Sequence, residues 1–219
     1  MEKLVSPSKW SQRENVCEEH VRIVTSESQR VHATVKDRTT RYYGEKSTNK
    51  LEIYGLKNKG RPIFVYISGG YWQELSGDIS HYPIQPMVDE GVVGIVVDYT
   101  RAPKVNMFEI VDEVIEASKS ILDFALENGS KSIILSGHSA GSQLCFMIIT
   151  SEWFSNLSEE HRSYFKAVFH LSGLFDLKVL LGTYVNDALK MDTEAASLLS
   201  PLSPSNLKNW KTSRYLLAI

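Results

Sequence analysis

Gly137-His138-Ser139-Ala140-Gly141 is the stretch whose residue types and spacing point most directly to chemistry. A serine between two glycines at this spacing is typical of a sharp turn from a strand into a helix, which exposes a nucleophilic hydroxyl. The helix that follows directs the Ala140 N–H toward a developing oxyanion. We therefore predict that Ser139 is a nucleophile, and it needs a separate base to accept its proton.

A second stretch, Ser68-Gly69-Gly70-Tyr71-Trp72, follows an apolar run and precedes the serine turn by about one β-α-β unit. In hydrolases of this order, the loop after the earlier strand supplies the remaining oxyanion donors. We predict that Gly69 and Gly70 fill this role together with Ala140. Tyr71 and Trp72 would form an aromatic wall for a flat substrate, although anchoring of the loop is an equal alternative.

The histidines offer no evident base for the serine. His138 lies inside the turn, where the side chain usually points away from the nucleophile. His170 lies in an apolar run and is typical of a core histidine. The others fall in charged or polar segments: His20, His32, His81 and His161.

The acids are no better placed. Asp176 is the only plausible acid after Ser139, and we interpret it as a helix N-cap. Asp98 ends an apolar run, and pairing with Arg101 or simple capping explains it as well as catalysis does.

The elements that must position these residues alternate between buried strands and helices. Such alternation predicts an α/β fold with a mostly parallel sheet, helices on both faces and the chemistry at the carboxyl ends of the strands. Strands are predicted at 62–67, 92–97, 133–135, 167–171 and 215–219, an edge strand at 50–54, and helices at 108–126 and 140–150. We expect a charged helical segment at 1–40 packed on an α/β domain at 41–219.

Composition excludes several classes of function. The 219 residues carry a net charge of −2, which gives no electrostatic case for nucleic acid or an acidic membrane surface. No apolar run reaches the ~18 residues of a membrane span, and the first ten residues lack the apolar core of a signal peptide. Cys17 and Cys145 are the only cysteines. We expect reduced thiols and a cytoplasmic, also nuclear, location.

The run Ser68-Gly69-Gly70-Tyr71-Trp72-Gln73 resembles the HGGYWQ oxyanion motif of kynurenine formamidases (arylformamidases), which have the α/β-hydrolase fold. The serine turn at 137–141 is similar to their nucleophile turn. The resemblance covers essentially the whole chain in the family's order. Further matching stretches are Pro7-Ser8-Lys9-Trp10, Asp98-Tyr99 with Ala102-Pro103, and Ser172-Gly173-Leu174-Phe175-Asp176-Leu177.

The resemblance implies a serine hydrolase of tryptophan catabolism that converts N-formyl-L-kynurenine to L-kynurenine and formate. It implies Ser139 as the nucleophile and no metal or organic cofactor. The implied oxyanion donors are Gly69, Gly70 and Ala140. Trp72, with Tyr71 beside it, is implied to flank the substrate. The expected binding partner is a small aromatic formamide substrate. Whether the chain forms a homodimer stays open.

Two features depart from the family pattern. Ser68 stands where the motif has its leading histidine. The family's catalytic Asp follows the strand that is 214–219 here, and its His follows one strand later. We therefore expect a chain shortened at its C-terminus, without the last strand and C-terminal helices and impaired in activity. Two alternatives stay open: a general carboxylesterase, and a non-catalytic α/β-hydrolase scaffold that acts by binding.

Overall fold

The computed structural model describes residue 6, residues 9–213 and residues 217–218. Pro7 and Ser8 of the N-terminal motif, and 214–216 and 219 of the C-terminal apolar run, lie outside the described residues. Within that part of the chain the strands form one seven-stranded sheet. Their bounds are β1 Arg38–Tyr42, β2 Lys50–Tyr54, β3 Ile63–Ile67, β4 Val93–Val97, β5 Ile133–His138, β6 Phe165–Leu171 and β7 Leu217–Ala218.

The sheet has the strand order β1-β2-β4-β3-β5-β6-β7. Strand β2 runs antiparallel to both β1 and β4, whereas all pairings from β4 to β7 are parallel. In the parallel part, Ile67 at the end of β3 is in register with Gly137 near the end of β5. The loop after β3 and the turn after β5 therefore emerge side by side at one edge of the sheet.

Helices cover both faces of the sheet, as predicted. Strand residues such as Ile63, Val65 and Leu135 pack on one face into the main apolar core. On the other face, Tyr54 and Val96 pack in a smaller cluster. The helices are α1 Val16–Thr34, α2 Ile84–Asp89, α3 Met107–Asn128, α4 Ala140–Thr150, α5 Glu152–Ser155, α6 Glu159–Arg162, α7 Val185–Leu189, α8 Thr193–Leu198 and α9 Pro204–Ser213, with short 3-10 helices at Gly77–Ile79 and Leu177–Leu180.

The predicted helix at 140–150 coincides with α4, and the one at 108–126 is confirmed with small extensions in α3. The prediction of 50–54 as an edge strand is wrong in one respect, because β1 pairs along its outer side and forms the edge instead. Four of the five β1 residues are exposed, so this strand lacks the apolar pattern that would have indicated it. The expected boundary after residue 40 falls inside β1.

Helix α1 is fixed to the body of the protein at several points. Val24, Ser28 and Val31 are its buried residues. The Ser28 hydroxyl accepts a hydrogen bond of 3.0 Å from the backbone N–H of His81. This contact joins α1 to the segment that follows the loop after β3, and it brings the N-terminal half of α1 toward the carboxyl edge of the sheet.

Candidate active site

Ser139 lies at the turn between β5 and α4 in a strained conformation. Its φ and ψ angles are 53° and −115°, and a positive φ at a non-glycine residue costs on the order of 1–3 kcal/mol. The strain is held by neighbouring backbone, since the Ser139 N–H donates to the Leu171 carbonyl over 2.8 Å. The side chain is half-buried. This is the geometry of a nucleophile turn.

The two glycines of the turn are required by close packing. A side chain at Gly137 would enter the backbone of Gly141. A side chain at Gly141 would enter the carbonyl group of Ile67, the last residue of β3. The turn is thus packed directly against the start of the loop that follows β3.

That loop, residues 68–77, lies against Ser139, and we call it the oxyanion loop after its expected role. A methyl group at Gly69 would lie 2.9 Å from the His138 carbonyl oxygen and 3.1 Å from Ser139 Cβ. In the described part of the chain, the backbone N–H groups of Gly69, Gly70 and Ala140 have no protein acceptor. Donors without a protein partner beside a nucleophile are suited to an oxyanion.

The oxyanion loop has an unusual backbone. Gly70 has φ 97°, and Tyr71, Trp72 and Leu75 have φ of 50°, 61° and 56°. Ser68 helps to hold this shape, because its hydroxyl donates to the Leu75 carbonyl over 2.8 Å. The residue that replaces the motif's histidine therefore closes the loop with a hydrogen bond of its own.

The two aromatic residues of the loop occupy different environments. Trp72 is completely buried, and its indole N–H donates to Oε1 of Gln143 over 3.0 Å. Tyr71 is half-buried and lines the cavity beside Ser139. Burial is the main cause that raises the pKa of Tyr71, so the phenol is neutral at neutral pH. Trp72 thus has the anchoring role that was its alternative, and the substrate contact of Tyr71 stays a prediction.

A cavity of about 420 Å³ opens over Ser139, and we call it the inner cavity. The oxyanion loop forms one wall and the N-terminal half of α1 forms the opposite wall. Its lining is Val16, Cys17, His20, Val21, Gly70, Tyr71, Glu74, Leu75, His138 and Ser139. The contribution of α1 was missed in the sequence, where this charged segment carried no sign that it reaches the site.

His138 and His20 are the imidazoles that line this cavity within the described residues. The expectation that His138 points away from the site is therefore wrong. Burial, followed by the neighbouring His20, lowers the pKa of His138, which keeps this ring neutral at neutral pH. No described side chain hydrogen-bonds to the Ser139 hydroxyl, so no base contacts Ser139 within the described residues.

The remaining candidates have the structural roles that the sequence favoured. His170 is buried in β6, and its Nδ1 shares a 2.8 Å hydrogen bond with the Ser142 hydroxyl. Asp176 caps the 3-10 helix at Leu177–Leu180 by accepting from the Lys178 N–H.

Asp98 is buried and braces the end of the oxyanion loop. Its Oδ1 accepts from the Gly77 N–H over 2.9 Å and from Arg101 Nη1 over 2.7 Å. The pairing with Arg101 is confirmed, and the carboxylate contacts the loop rather than Ser139.

The described residues contain no group of three or more His, Cys, Asp or Glu side chains arranged to hold a metal ion. Among the helices in this part of the chain, none combines the length and the apolar character needed to cross a membrane.

Curated proteins resemble the chain over most of its length. The kynurenine formamidase of Salmo salar is 35% identical over 92% of this chain and 68% of its own length. That of Danio rerio is 34% identical over 90% of this chain and 67% of its own length. The kynurenine formamidase of Drosophila melanogaster is 28% identical over 64% of this chain and 42% of its own length. No family model matches the chain.

Solved structures resemble the chain in fold. A proposed thioesterase from Silicibacter sp. superposes with a TM-score of 0.74 at 22% identity, over 95% of this chain and 86% of that one. A thermostable carboxylesterase cloned from a metagenomic library superposes with a TM-score of 0.64 at 18% identity, over 92% and 85%. At these identities the likeness shows the fold alone, and that fold is the α/β-hydrolase fold.

Proposed function

The chain belongs to the kynurenine formamidase family, and from that membership we propose that it hydrolyses N-formyl-L-kynurenine to L-kynurenine and formate. One structural observation carries the proposal for the site. The oxyanion loop that bears the family's specific motif lies against the nucleophile, with Gly69 beside Ser139 Cβ. A formyl group attacked by Ser139 would therefore develop its negative charge next to the backbone donors of that motif.

The proposed reaction has two halves. The Ser139 hydroxyl loses its proton to a base and attacks the formyl carbon, and the carbonyl oxygen becomes an oxyanion held by Gly69, Gly70 and Ala140. The carbon–nitrogen bond then breaks, and the aromatic amine leaves with a proton. Water hydrolyses the formyl ester on Ser139 and releases formate. In the family pattern the base comes from a segment that follows the strand at β7.

The mostly apolar lining of the inner cavity supports an aromatic substrate. Tyr71, Val21 and Leu75 face the space beside Ser139. An aromatic ring buried against such side chains gains on the order of 25 cal/mol for each Å² of apolar surface removed from water. A small formyl group at Ser139 with a ring against Tyr71 would fill this cavity.

Turnover of two substrates separates this proposal from a general esterase. A kynurenine formamidase turns over N-formyl-L-kynurenine in preference to phenyl acetate, and Ser139→Ala abolishes both reactions. A general carboxylesterase would prefer the simple ester. A non-catalytic scaffold would release neither product at a rate that depends on Ser139.

A cytoplasmic, also nuclear, location belongs to the same proposal. The free cysteines Cys17 and Cys145 support it, since a reducing compartment keeps thiols unpaired. A homodimer is also proposed, and light scattering of the purified chain measures its mass directly.

A further inference from the structure

A second cavity of about 550 Å³ adjoins the inner cavity, and we call it the mouth cavity. It shares Cys17, Val21 and Glu74 with the inner cavity. Glu18 and Arg22 complete its lining. A ligand bound at Ser139 can therefore extend between α1 and the oxyanion loop into the mouth cavity.

The mouth cavity differs from the inner cavity in its charge. Glu18 and Arg22 come from α1, and Glu74 comes from the oxyanion loop. None of these three side chains forms an ion pair within the described part of the chain, although Glu18 and Arg22 have the four-residue spacing that permits one. Residues that carry charges of both signs thus line one space without an ion pair between them.

We propose that the mouth cavity binds the zwitterionic α-amino acid group of the substrate. The Arg22 guanidinium would bind the α-carboxylate through paired N–H donors, and Glu74 would accept from the α-ammonium. Glu18 adds negative charge on the ammonium side. This inference rests on the proposed formamidase function, and it names the part of the substrate that the chemistry at Ser139 does not touch.

The order of the groups along the two cavities matches such a substrate. The reacting formamide lies at Ser139 and the aromatic ring lies between Tyr71 and Val21. The amino acid group then reaches the charges at Arg22 and Glu74. A simple aryl or acyl ester would leave both charges without a ligand, so the mouth cavity favours aryl formamides that carry an α-amino acid.

Two substrates and two variants test the proposal in the full chain. Arg22→Gln and Glu74→Gln are each expected to lower kcat/KM for N-formyl-L-kynurenine about tenfold, because each removes one charge-assisted contact. Arg22→Gln, which lies outside the inner cavity, should leave kcat/KM for N-phenylformamide, a compound without the amino acid, within about twofold of wild type. Lys36→Gln and Glu90→Gln are the matched controls, since both side chains are exposed and outside the two cavities.

A binding measurement separates this inference from the proposed function. Quenching of tryptophan fluorescence gives Kd for L-kynurenine and for 2-aminoacetophenone, which has the ring without the amino acid. Arg22→Gln should raise Kd for L-kynurenine about tenfold and leave Kd for 2-aminoacetophenone unchanged. Equal effects on the two compounds, or no effect on either, would overturn the zwitterion site. Absence of any Ser139-dependent formamide hydrolysis would instead overturn the proposed function.

Discussion

The indole N–H of Trp72 donates to Oε1 of Gln143 over 3.0 Å, and this buried hydrogen bond joins the oxyanion loop to the helix that begins after Ser139. Gln143 in turn donates through Nε2 to the Leu199 carbonyl over 2.9 Å. Both side chains are fully buried. The distance between the oxyanion loop and Ser139 is therefore held by side chains behind the site.

Trp72→Phe should lower both stability and turnover. The substitution leaves Oε1 of Gln143 buried without a donor, which costs about 1–3 kcal/mol. Urea unfolding measures that loss, and kcat for N-formyl-L-kynurenine should fall while KM changes less. Trp153→Phe is the matched control, because Trp153 packs on Phe154 and Phe165 away from Ser139. Equal kcat values for the two variants would show that Trp72 does not position the oxyanion loop.

Gly69→Ala tests the contact between the oxyanion loop and the nucleophile. The added methyl group would lie 2.9 Å from the His138 carbonyl oxygen, so the loop must move away from Ser139. We expect kcat to fall by about 10²-fold, the scale of one lost oxyanion donor. Gly182→Ala is the control, since a methyl group there meets nothing within 4 Å. A Gly69→Ala variant with the wild-type kcat in steady-state kinetics would contradict the assignment of Gly69 as an oxyanion donor.

Ser68→Ala tests the residue that stands in place of the motif's histidine. It removes the hydrogen bond to the Leu75 carbonyl, a contribution of about 0.5–1.5 kcal/mol, and it loosens the glycine donors. We expect kcat to fall severalfold. Ser80→Ala removes a similar bond, to the Ser76 carbonyl, farther from the glycines. If both variants lowered kcat equally, Ser68 would have no specific role in the loop.

The serine turn could be predicted from the sequence because its requirements are local. The glycines at 137 and 141 are dictated by backbone contacts within a few residues and with the adjacent strand. The helix at 140–150 was likewise predicted at its observed bounds. Apolar runs and turn residues carry this information directly.

The features that could not be predicted depend on distant parts of the chain. Cys17 and His20 reach the inner cavity only because Ser28 and Val31 fix α1 against the body of the protein. Strand β1 is polar, and pairing with β2 rather than burial stabilises it. One such contact is the Thr40 hydroxyl donating to Glu52 Oε1 over 2.8 Å. Neither kind of contact leaves a periodic pattern in the sequence.

We predict that the buried His81 makes the protein less stable in mild acid. It is fully buried, its Nδ1 shares a 2.9 Å hydrogen bond with the Tyr54 hydroxyl, and its Nε2 has no hydrogen-bond partner among the described residues. Burial, followed by His32, lowers its pKa from 6.5 to about 3. The unfolded chain therefore binds a proton below pH 6.5 that the folded chain rejects, and stability falls as the pH drops toward 3. The free energy of unfolding that His81 removes approaches about 1.4 kcal/mol for each pH unit.

Urea unfolding of wild type and His81→Gln between pH 7 and pH 4 measures this contribution. The charged or titratable groups around the ring are Tyr54, His32, Asp78, Lys50 and Arg38, and they remain in the variant. The free energy of unfolding should depend less on pH in the variant than in the wild type, whatever its value at pH 7. Parallel curves for the two proteins would show that His81 does not cause the acid sensitivity.

The most direct test of Ser139 as the nucleophile is release of L-kynurenine from N-formyl-L-kynurenine by the wild-type chain and by Ser139→Ala. The exposed Ser155→Ala serves as the control for loss of a hydroxyl. We predict that Ser139→Ala removes the release of L-kynurenine that the wild-type chain catalyses and that the control keeps the wild-type rate. A Ser139→Ala protein that releases L-kynurenine at the wild-type rate, or a wild-type chain that releases none, would contradict the account.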